Sequence, residues 1–256
     1  MTRQRLTHFM EKSRCTLLGV GPMSVNCVDA AVELANHYDA PLMLIASRRQ
    51  IDSEEFGGGY VNNWTTSQFA NYVFDKDIKG KITLARDHGG PWQSNKEKDE
   101  GLTLRRAMES AKRSFKADLD AGFQMLHIDP SVDIHSTPNV DETLERIYEL
   151  YDYCWNYAQK LDRDIIFEIG TEEQSGSTNT QEELEYTLEC MRKFCSRNKF
   201  PFPSFVVIQT GTKVMETQNV GSFDQPLRVA DELPAEIQLP KMIEICEKYE
   251  IFMKEH

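Results

Sequence analysis

The sequence predicts an α/β fold of parallel strands and connecting helices, of the TIM (β/α)8-barrel type. Short, continuous apolar runs recur along the chain, as expected of strands that are buried on both faces. Helical patterns separate these runs, and from the second run onward the strand–helix unit repeats about every 40 residues. The first run is not followed by the G-x-G-x-x-G turn of a dinucleotide-binding sheet. This favours a barrel over a doubly wound sheet.

Seven apolar runs are predicted to be strands. In chain order they cover residues 16–20, 41–46, 82–85, 124–128, 164–169, 205–208 and 251–253. A complete barrel of this type has eight strands, so one strand is unaccounted for. We therefore expect a single (β/α) barrel domain over residues 1–256 that is incomplete at the C-terminus. Either the chain is shortened or something else completes the barrel.

The segments between these runs have the periodicity of helices. Helices are predicted over residues 25–37, 102–121, 139–161, 180–198 and 240–249. Thr180 begins a capping box with Glu183, and Pro240 is expected to be the first residue of the last helix. Two polar loops, residues 50–64 and 213–235, are candidate lids or binding loops.

The charge and hydropathy of the chain exclude several classes of partner. Nucleic acid and anionic membranes require clustered positive charge, whereas the net charge of these 256 residues is −12. No apolar run is long enough to cross a bilayer. Residues 1–14 lack the apolar segment of a secretion signal, so we expect a cytoplasmic protein.

Polar residues concentrate at the carboxyl ends of the predicted strands, which form the active face of a (β/α) barrel. The sharpest pair is Asp87-His88, after the third strand. A neutral imidazole suits zinc or another divalent ion. A neighbouring carboxylate can act as an acid or a base beside that ion. The pair therefore indicates metal-assisted chemistry.

Further candidate metal ligands follow the fifth and seventh strands. His256 would be a second imidazole, and Glu168 or Glu172 could add a carboxylate oxygen. His127 lies within the fourth strand, so we expect it to be packed and hydrogen-bonded rather than to bind metal. Two imidazoles at strand ends, with carboxylates between them, predict a divalent metal, zinc first.

A glycine-rich loop, residues 56–60, follows the second strand and has the sequence Phe-Gly-Gly-Gly-Tyr. Its backbone N–H groups could cradle a phosphate, with positive charge supplied by Arg48 and Arg49. The alternative is a flexible turn with two solvated arginines.

Together the motifs resemble the tagatose-bisphosphate aldolase family of class II aldolases, specifically its non-catalytic (Z-type) subunit group. They occur in the family's order and cover most of the chain. The motifs are Ser47-x-x-Gln50 with Phe56-Gly57-Gly58-Gly59-Tyr60, Asp87-His88-x-Gly90-Pro91, His127-Ile128-Asp129-x-Ser131, Ile169-Gly170-Thr171-Glu172 and Gln209-x-Gly211. The ordered set is more specific than the Asp-His pair alone.

The resemblance implies a barrel that binds a phosphorylated ketose and a divalent metal. In class II aldolases the aspartate of the Asp-His pair is the acid/base and the histidine binds zinc, which carries over to Asp87 and His88. Glu168 and His256 resemble metal-binding positions. The other motif residues expected at the site are Asp129 (catalytic), Glu172 (metal), and the substrate-binding Ser47, Gln50, Gly58, Gly59, Tyr60, Gln209 and Gly211.

Three functions are compatible with these motifs. The first is metal-dependent aldol chemistry on a phosphorylated ketose such as tagatose bisphosphate, by cleavage or C4 epimerisation. The second is a non-catalytic subunit that stabilises a class II aldolase, and the third is a sugar-phosphate-binding barrel. The sixth strand ends in residues 209–212, Gln-Thr-Gly-Thr, where catalytic class II aldolases have a metal histidine, so the second function stays open. We also expect an oligomer.

Overall fold

A computed structural model describes residues 3–13, 15–171, 180–208, 213–215, 218–220 and 235–255 of the chain. Seven strands form one parallel sheet in which spatial order follows chain order. These strands are β1 Gly19–Val20, β2 Leu42–Ser47, β3 Ile82–Gly89, β4 Met125–Ile128, β5 Ile166–Ile169, β6 Phe205–Val207 and β9 Phe252–Lys254. The sheet is an open half-barrel, and the predicted α/β class and its seven strands are confirmed. Two further strands, β7 Lys213–Met215 and β8 Gln218–Val220, form an antiparallel hairpin.

Eight helices lie in the described part of the chain. They are α1 Arg3–Ser13, α2 Val25–Tyr38, α3 Thr66–Lys76, α4 Asn95–Asp99, α5 Leu104–Ala121, α6 Val140–Lys160, α7 Gln181–Asn198 and α8 Ala235–Lys248. The predictions for α2, α5, α6 and α7 are confirmed to within two residues. The capping box of Thr180 and Glu183 is present. Helices α1, α3 and α4 were not predicted.

The predicted start of the last helix at Pro240 is wrong. Helix α8 begins at Ala235 and contains Pro240. The first four N–H groups of a helix have no intrahelical acceptor, so proline is easily tolerated there. Pro240 lies just beyond this region, and the helix continues through it with the loss of one backbone hydrogen bond.

Two apolar layers sandwich the sheet. On the outside, α5 to α8 pack against β4, β5 and β6, and α2 and α3 pack against β2 and β3. On the inside, a smaller group of buried side chains closes the base of the half-barrel, and α1 contributes one of them. This inner cluster consists of Leu6, Met43, Ala85, Met125, Ile166 and Phe205, with Phe252 packed against it.

None of the helices in the described ranges combines the length and the apolar character that crossing a bilayer would require.

Candidate active site

Four polar side chains lie directly above the inner cluster. Successive side chains of a strand point to opposite faces, so residues two apart share a face. Asp87, His127, Glu168 and Lys254 each lie two residues beyond an inner-cluster position on their strands. They therefore project into the half-barrel at the carboxyl ends of the strands. Asp87, His127 and Glu168, here called the acceptor cluster, each place one ligand atom within 4.8 Å of the others.

An irregularity in β3 brings two consecutive residues to this face. The prediction ended the third strand before Asp87, but β3 continues to Gly89. Its register with β4 shifts between Arg86 and Gly89, and His88 has a left-handed backbone with φ of 43°. Such a bulge redirects a side chain, and bulges recur beside active sites. Here it places Nε2 of His88 3.8 Å from Oδ2 of Asp87.

The prediction that His127 is packed and hydrogen-bonded is confirmed, and the residue also belongs to the acceptor cluster. It is fully buried, and its Nδ1 accepts the backbone N–H of His88 at 3.1 Å. The same Nδ1 lies 3.1 Å from Oε1 of Glu168. The imidazole is therefore in direct contact with the Glu168 carboxylate, and a buried carboxylate is stabilised when a cation lies beside it.

Lys254 supplies such a cation. Its Nζ donates to Oε1 of Glu168 at 2.6 Å and to Oδ1 of Asp87 at 3.2 Å. Burial lowers the pKa of this ammonium, but the charges and hydrogen bonds of Glu168 and Asp87 outweigh it, and the net pKa is raised. Lys254 is therefore positively charged at neutral pH. Lys254 was not among the predicted site residues.

Asp129 lies behind His88 rather than in the cavity. It is fully buried and accepts from Nδ1 of His88 at 2.8 Å, and Ser131 and Gln93 also donate to it. Burial raises the pKa of Asp129, but the hydrogen bond and charge of His88 lower it further, to below its usual value. An ionised Asp129 requires the His88 proton on Nδ1. This contact supports a positioning role, and catalysis by Asp129 stays a prediction.

A cavity of about 730 Å³ opens beside the acceptor cluster. The predicted residues at its lining are Ser47, Gln50, Gly58, Gly59, Tyr60 and Asp87. Ser47 and Asp87 are register partners on the adjacent strands β2 and β3. The loop that follows β2 and the carboxyl end of β3 therefore meet at this cavity. Residues separated by 40 positions in the sequence thus form one concave surface.

The predicted phosphate cradle of backbone N–H groups is wrong. The N–H groups of residues 56–60 all donate within the protein, to carbonyl oxygens of Ser53, Glu54, Trp64 and Arg49. Gly59 is required for packing, because a Cβ atom there would lie 1.9 Å from the carbonyl oxygen of Gln50. The loop is a folded wall of the cavity, and a bound anion would need side-chain donors.

The two arginines that directly follow β2, Arg48 and Arg49, have different surroundings. The Arg48 side chain is fully buried and forms ion pairs with Asp52 at 3.0 Å and Glu97 at 2.6 Å. Arg48 also lines the cavity, and its role in phosphate binding stays a prediction. Arg49 and Lys96 are exposed and line the cavity as well. They are exposed cationic groups that a ligand there could contact.

Four predicted site residues, Glu172, Gln209, Gly211 and His256, lie outside the described residues. One residue at the site, Lys254, was not predicted. Its sign in the sequence is a charged side chain directly after an apolar run, since a buried charged group requires a partner.

The chemistry of the acceptor cluster fits a divalent metal. Two carboxylates and an imidazole are donors that zinc and related ions take in proteins. Oε2 of Glu168 is buried and has no hydrogen-bond partner among the described residues.

Solved structures of the (β/α)-barrel fold superimpose on the chain. A Sinorhizobium meliloti 1021 chain described as a "probable tagatose 6 phosphate kinase" superimposes with a TM-score of 0.72 at 19% identity, over 94% of this chain and 58% of that one. The YdjI aldolase of Escherichia coli K12 superimposes with a TM-score of 0.56 at 9% identity, over 100% of this chain and 72% of that one. The fructose-bisphosphate aldolase of Campylobacter jejuni superimposes with a TM-score of 0.54 at 15% identity, over 98% of this chain and 67% of that one. At these identities the likeness establishes the fold, and the chain spans little more than half of the Sinorhizobium protein.

The family is established by a match to residues 6–195 of the chain. The matching family is described as D-tagatose-1,6-bisphosphate aldolase subunit GatZ/KbaZ-like. The chain belongs to this GatZ/KbaZ-like family, which confirms the resemblance inferred from the ordered motifs.

Proposed function

We propose that the carboxyl face of the half-barrel binds a phosphorylated ketose, such as tagatose bisphosphate, and carries out aldol-type chemistry on it, by cleavage or C4 epimerisation. The observation that carries this proposal is the position of Asp87. Asp87 lines the 730 Å³ cavity and also belongs to the acceptor cluster. A ligand in the cavity would therefore be in contact with the ionisable groups of the site.

The cavity suits a phosphate group although the protein is acidic. Arg49 and Lys96 place two exposed cations at its lining. Charge-assisted hydrogen bonds from arginine or lysine to phosphate are about twice as strong as neutral ones. Ser47 and Tyr60 add hydroxyl groups. We propose that these side chains bind the phosphate and direct the sugar towards Asp87.

Asp87 is the proposed acid/base. Its two oxygens have different neighbours, since Oδ1 accepts from Lys254 at 3.2 Å and Oδ2 lies 3.8 Å from Nε2 of His88. We propose that Oδ2 takes the proton of the sugar hydroxyl and returns it after cleavage or rotation of the aldehyde. A divalent ion, zinc first, would be held by the acceptor cluster, with His88, Glu172 and His256 as further proposed ligands, and would supply polarisation of the ketose carbonyl.

A non-catalytic subunit is the second candidate function, and one observation favours it. The Lys254 ammonium contacts the same two carboxylates that a metal would require. In this role the barrel would stabilise a class II aldolase partner without turnover of its own. A plain sugar-phosphate-binding barrel is a third candidate, which would bind no metal. In each role we propose a cytoplasmic protein that works as an oligomer.

The experiment that tests these functions is a product assay with purified protein, D-tagatose 1,6-bisphosphate and zinc. The chain is tested alone and with a class II aldolase, and triose phosphates and the C4 epimer are both followed. Product from the chain alone supports the enzyme. An increase only in the activity or stability of the added aldolase supports the subunit. Failure to bind the sugar phosphate at all contradicts the proposal.

A further inference from the structure

Lys254 is the last residue of β9 and places its ammonium between the two carboxylates of the acceptor cluster. Nζ lies 2.6 Å from Oε1 of Glu168 and 3.2 Å from Oδ1 of Asp87. The Lys254 side chain is 11% exposed, and Glu168 is fully buried. This is an enclosed ion pair rather than a solvated surface contact.

We propose that Lys254 is the resident counter-cation of the acceptor cluster and competes with a divalent ion for Asp87 and Glu168, so that metal binding requires displacement of the ammonium. A second positive ion at these carboxylates is opposed by repulsion from the ammonium, which is weakly screened in a buried site. This inference deepens the proposed function, but metal affinity can be measured without turnover. Its failure is therefore distinguishable from failure of the proposed function.

The charges of the site explain why such a cation is needed. The Asp87 and Glu168 carboxylates both contact the Lys254 ammonium, and within the described residues no other lysine or arginine forms an ion pair with either of them. A buried pair of carboxylates without a counter-charge is strongly destabilising. With Lys254 present, the fold can form without a metal. Without Lys254, the two carboxylates would need a bound proton or a divalent ion to balance their charge.

A purely structural ion pair leads to a different expectation. If Lys254 only stabilises the fold, its loss lowers stability without increasing metal affinity. If it competes with the metal, its loss lowers the stability of the metal-free protein and increases affinity for the metal. The two roles therefore differ in the sign of the change in metal affinity.

The test is a titration of the full chain with Zn²⁺ after removal of metal by a chelator. Lys254→Met removes the ammonium and keeps the apolar stem, and Lys254→Arg keeps the positive charge. The matched control is the double variant Lys254→Met/Glu168→Gln, which removes one carboxylate as well. We expect Lys254→Met to bind about one Zn²⁺ at least tenfold tighter than wild type. Lys254→Arg should bind like wild type, and the double variant should lose the gain.

Equal or weaker binding by folded Lys254→Met would overturn the proposal. If this variant folds only when Zn²⁺ is present, while wild type needs none, the proposal is supported. If it does not fold in either condition, amine labelling of wild type decides. The extent of reductive methylation of Lys254, measured by mass spectrometry, should increase on Zn²⁺ saturation. The metal would displace the ammonium from the enclosed ion pair and make it accessible to the reagent. Unchanged or decreased labelling overturns the proposal.

Discussion

His88 donates its Nδ1 proton to Oδ2 of Asp129 at 2.8 Å, and this contact fixes which ring nitrogen carries the proton. Asp129 is itself held by Ser131 and Gln93. A carboxylate behind a histidine is the usual arrangement in metal sites, where it orients the ring and raises its basicity. The contact gives His88 a defined tautomer with Nε2 on the side of Asp87.

The first prediction concerns Asp129. Asp129→Asn removes the charge that holds the proton on Nδ1 of His88. We expect a folded protein with metal affinity or turnover lowered about 10- to 100-fold, the usual range for such outer groups. The tautomer can be followed through the ¹⁵N shifts of the His88 ring. Ser131→Ala is the control, because it removes the hydroxyl that donates to Oδ1 of Asp129 but keeps the histidine contact. An unchanged tautomer and affinity in Asp129→Asn would refute the positioning role.

The second prediction concerns the buried ion pair that supports the β2 loop. Arg86 binds Asp118 through two nitrogens and also donates to the carbonyls of Ala46 and Ile51. Asp118→Ala leaves a buried guanidinium unpaired, which is expected to lower the free energy of unfolding by about 3–5 kcal/mol. Urea denaturation measures this change. The control Asp120→Ala removes an exposed pair with Lys116 and should change stability by less than about 1 kcal/mol.

The third prediction concerns the wall of the cavity. Gly59→Ala places a methyl group against the carbonyl of Gln50 and should destabilise the protein by about 1–3 kcal/mol or more, as overpacking does. Sugar-phosphate binding should weaken as well, since Gln50 lines the cavity. Gly57→Ala is the matched control. Its Cβ meets no atom within 4 Å, so only the left-handed backbone of residue 57 disfavours alanine, by about 1–2 kcal/mol. Gly59→Ala is therefore expected to unfold at a clearly lower temperature than Gly57→Ala, and equal thermal unfolding of the two variants would contradict the packing role.

The fourth prediction concerns the phosphate. Arg49→Ala and Lys96→Ala each remove an exposed cation from the cavity lining. A hydrogen bond to a charged group contributes about 1.5–3 kcal/mol, so each variant should bind the sugar phosphate at least about tenfold more weakly. Isothermal titration measures the affinity. Lys116→Ala, which is remote from the cavity on α5, should bind like wild type. Full affinity in both cavity variants would place the phosphate elsewhere.

Much of the fold was predictable because each strand is a continuous apolar run and each long helix has a distinct apolar face. Helix α6, for example, buries Leu144, Ile147, Leu150 and Tyr151 on one side. Helix α3 was missed, although Thr65 and Gln68 form a capping box at its start. Its sequence follows a glycine-rich loop directly, and that loop obscured the boundary.

The candidate site was predictable in part, for a different physical reason. The carboxyl end of a strand is a local feature of the sequence. Ser47, Asp87 and His88 could therefore be assigned from the sequence to the strand ends that form the site. Contacts between strands depend on register, and the pairing of His127 with Glu168 on β4 and β5 is not encoded in either strand alone. The approach of Lys254 to Asp87 joins residues 167 positions apart. The bulge at His88, which turns two consecutive side chains inward, also has no local sequence pattern.

The most direct measurement is the turnover of D-tagatose 1,6-bisphosphate by wild type and by Asp87→Asn, with sugar-phosphate binding measured in parallel. The amide keeps the shape of the side chain but cannot take up a proton. Wild type is predicted to cleave or epimerise the sugar at C4. Asp87→Asn should still bind it but turn it over at least about 10²–10⁴-fold more slowly, the usual contribution of an acid/base. Equal turnover by both proteins, or none by zinc-supplied wild type that binds the sugar, would contradict catalysis by Asp87.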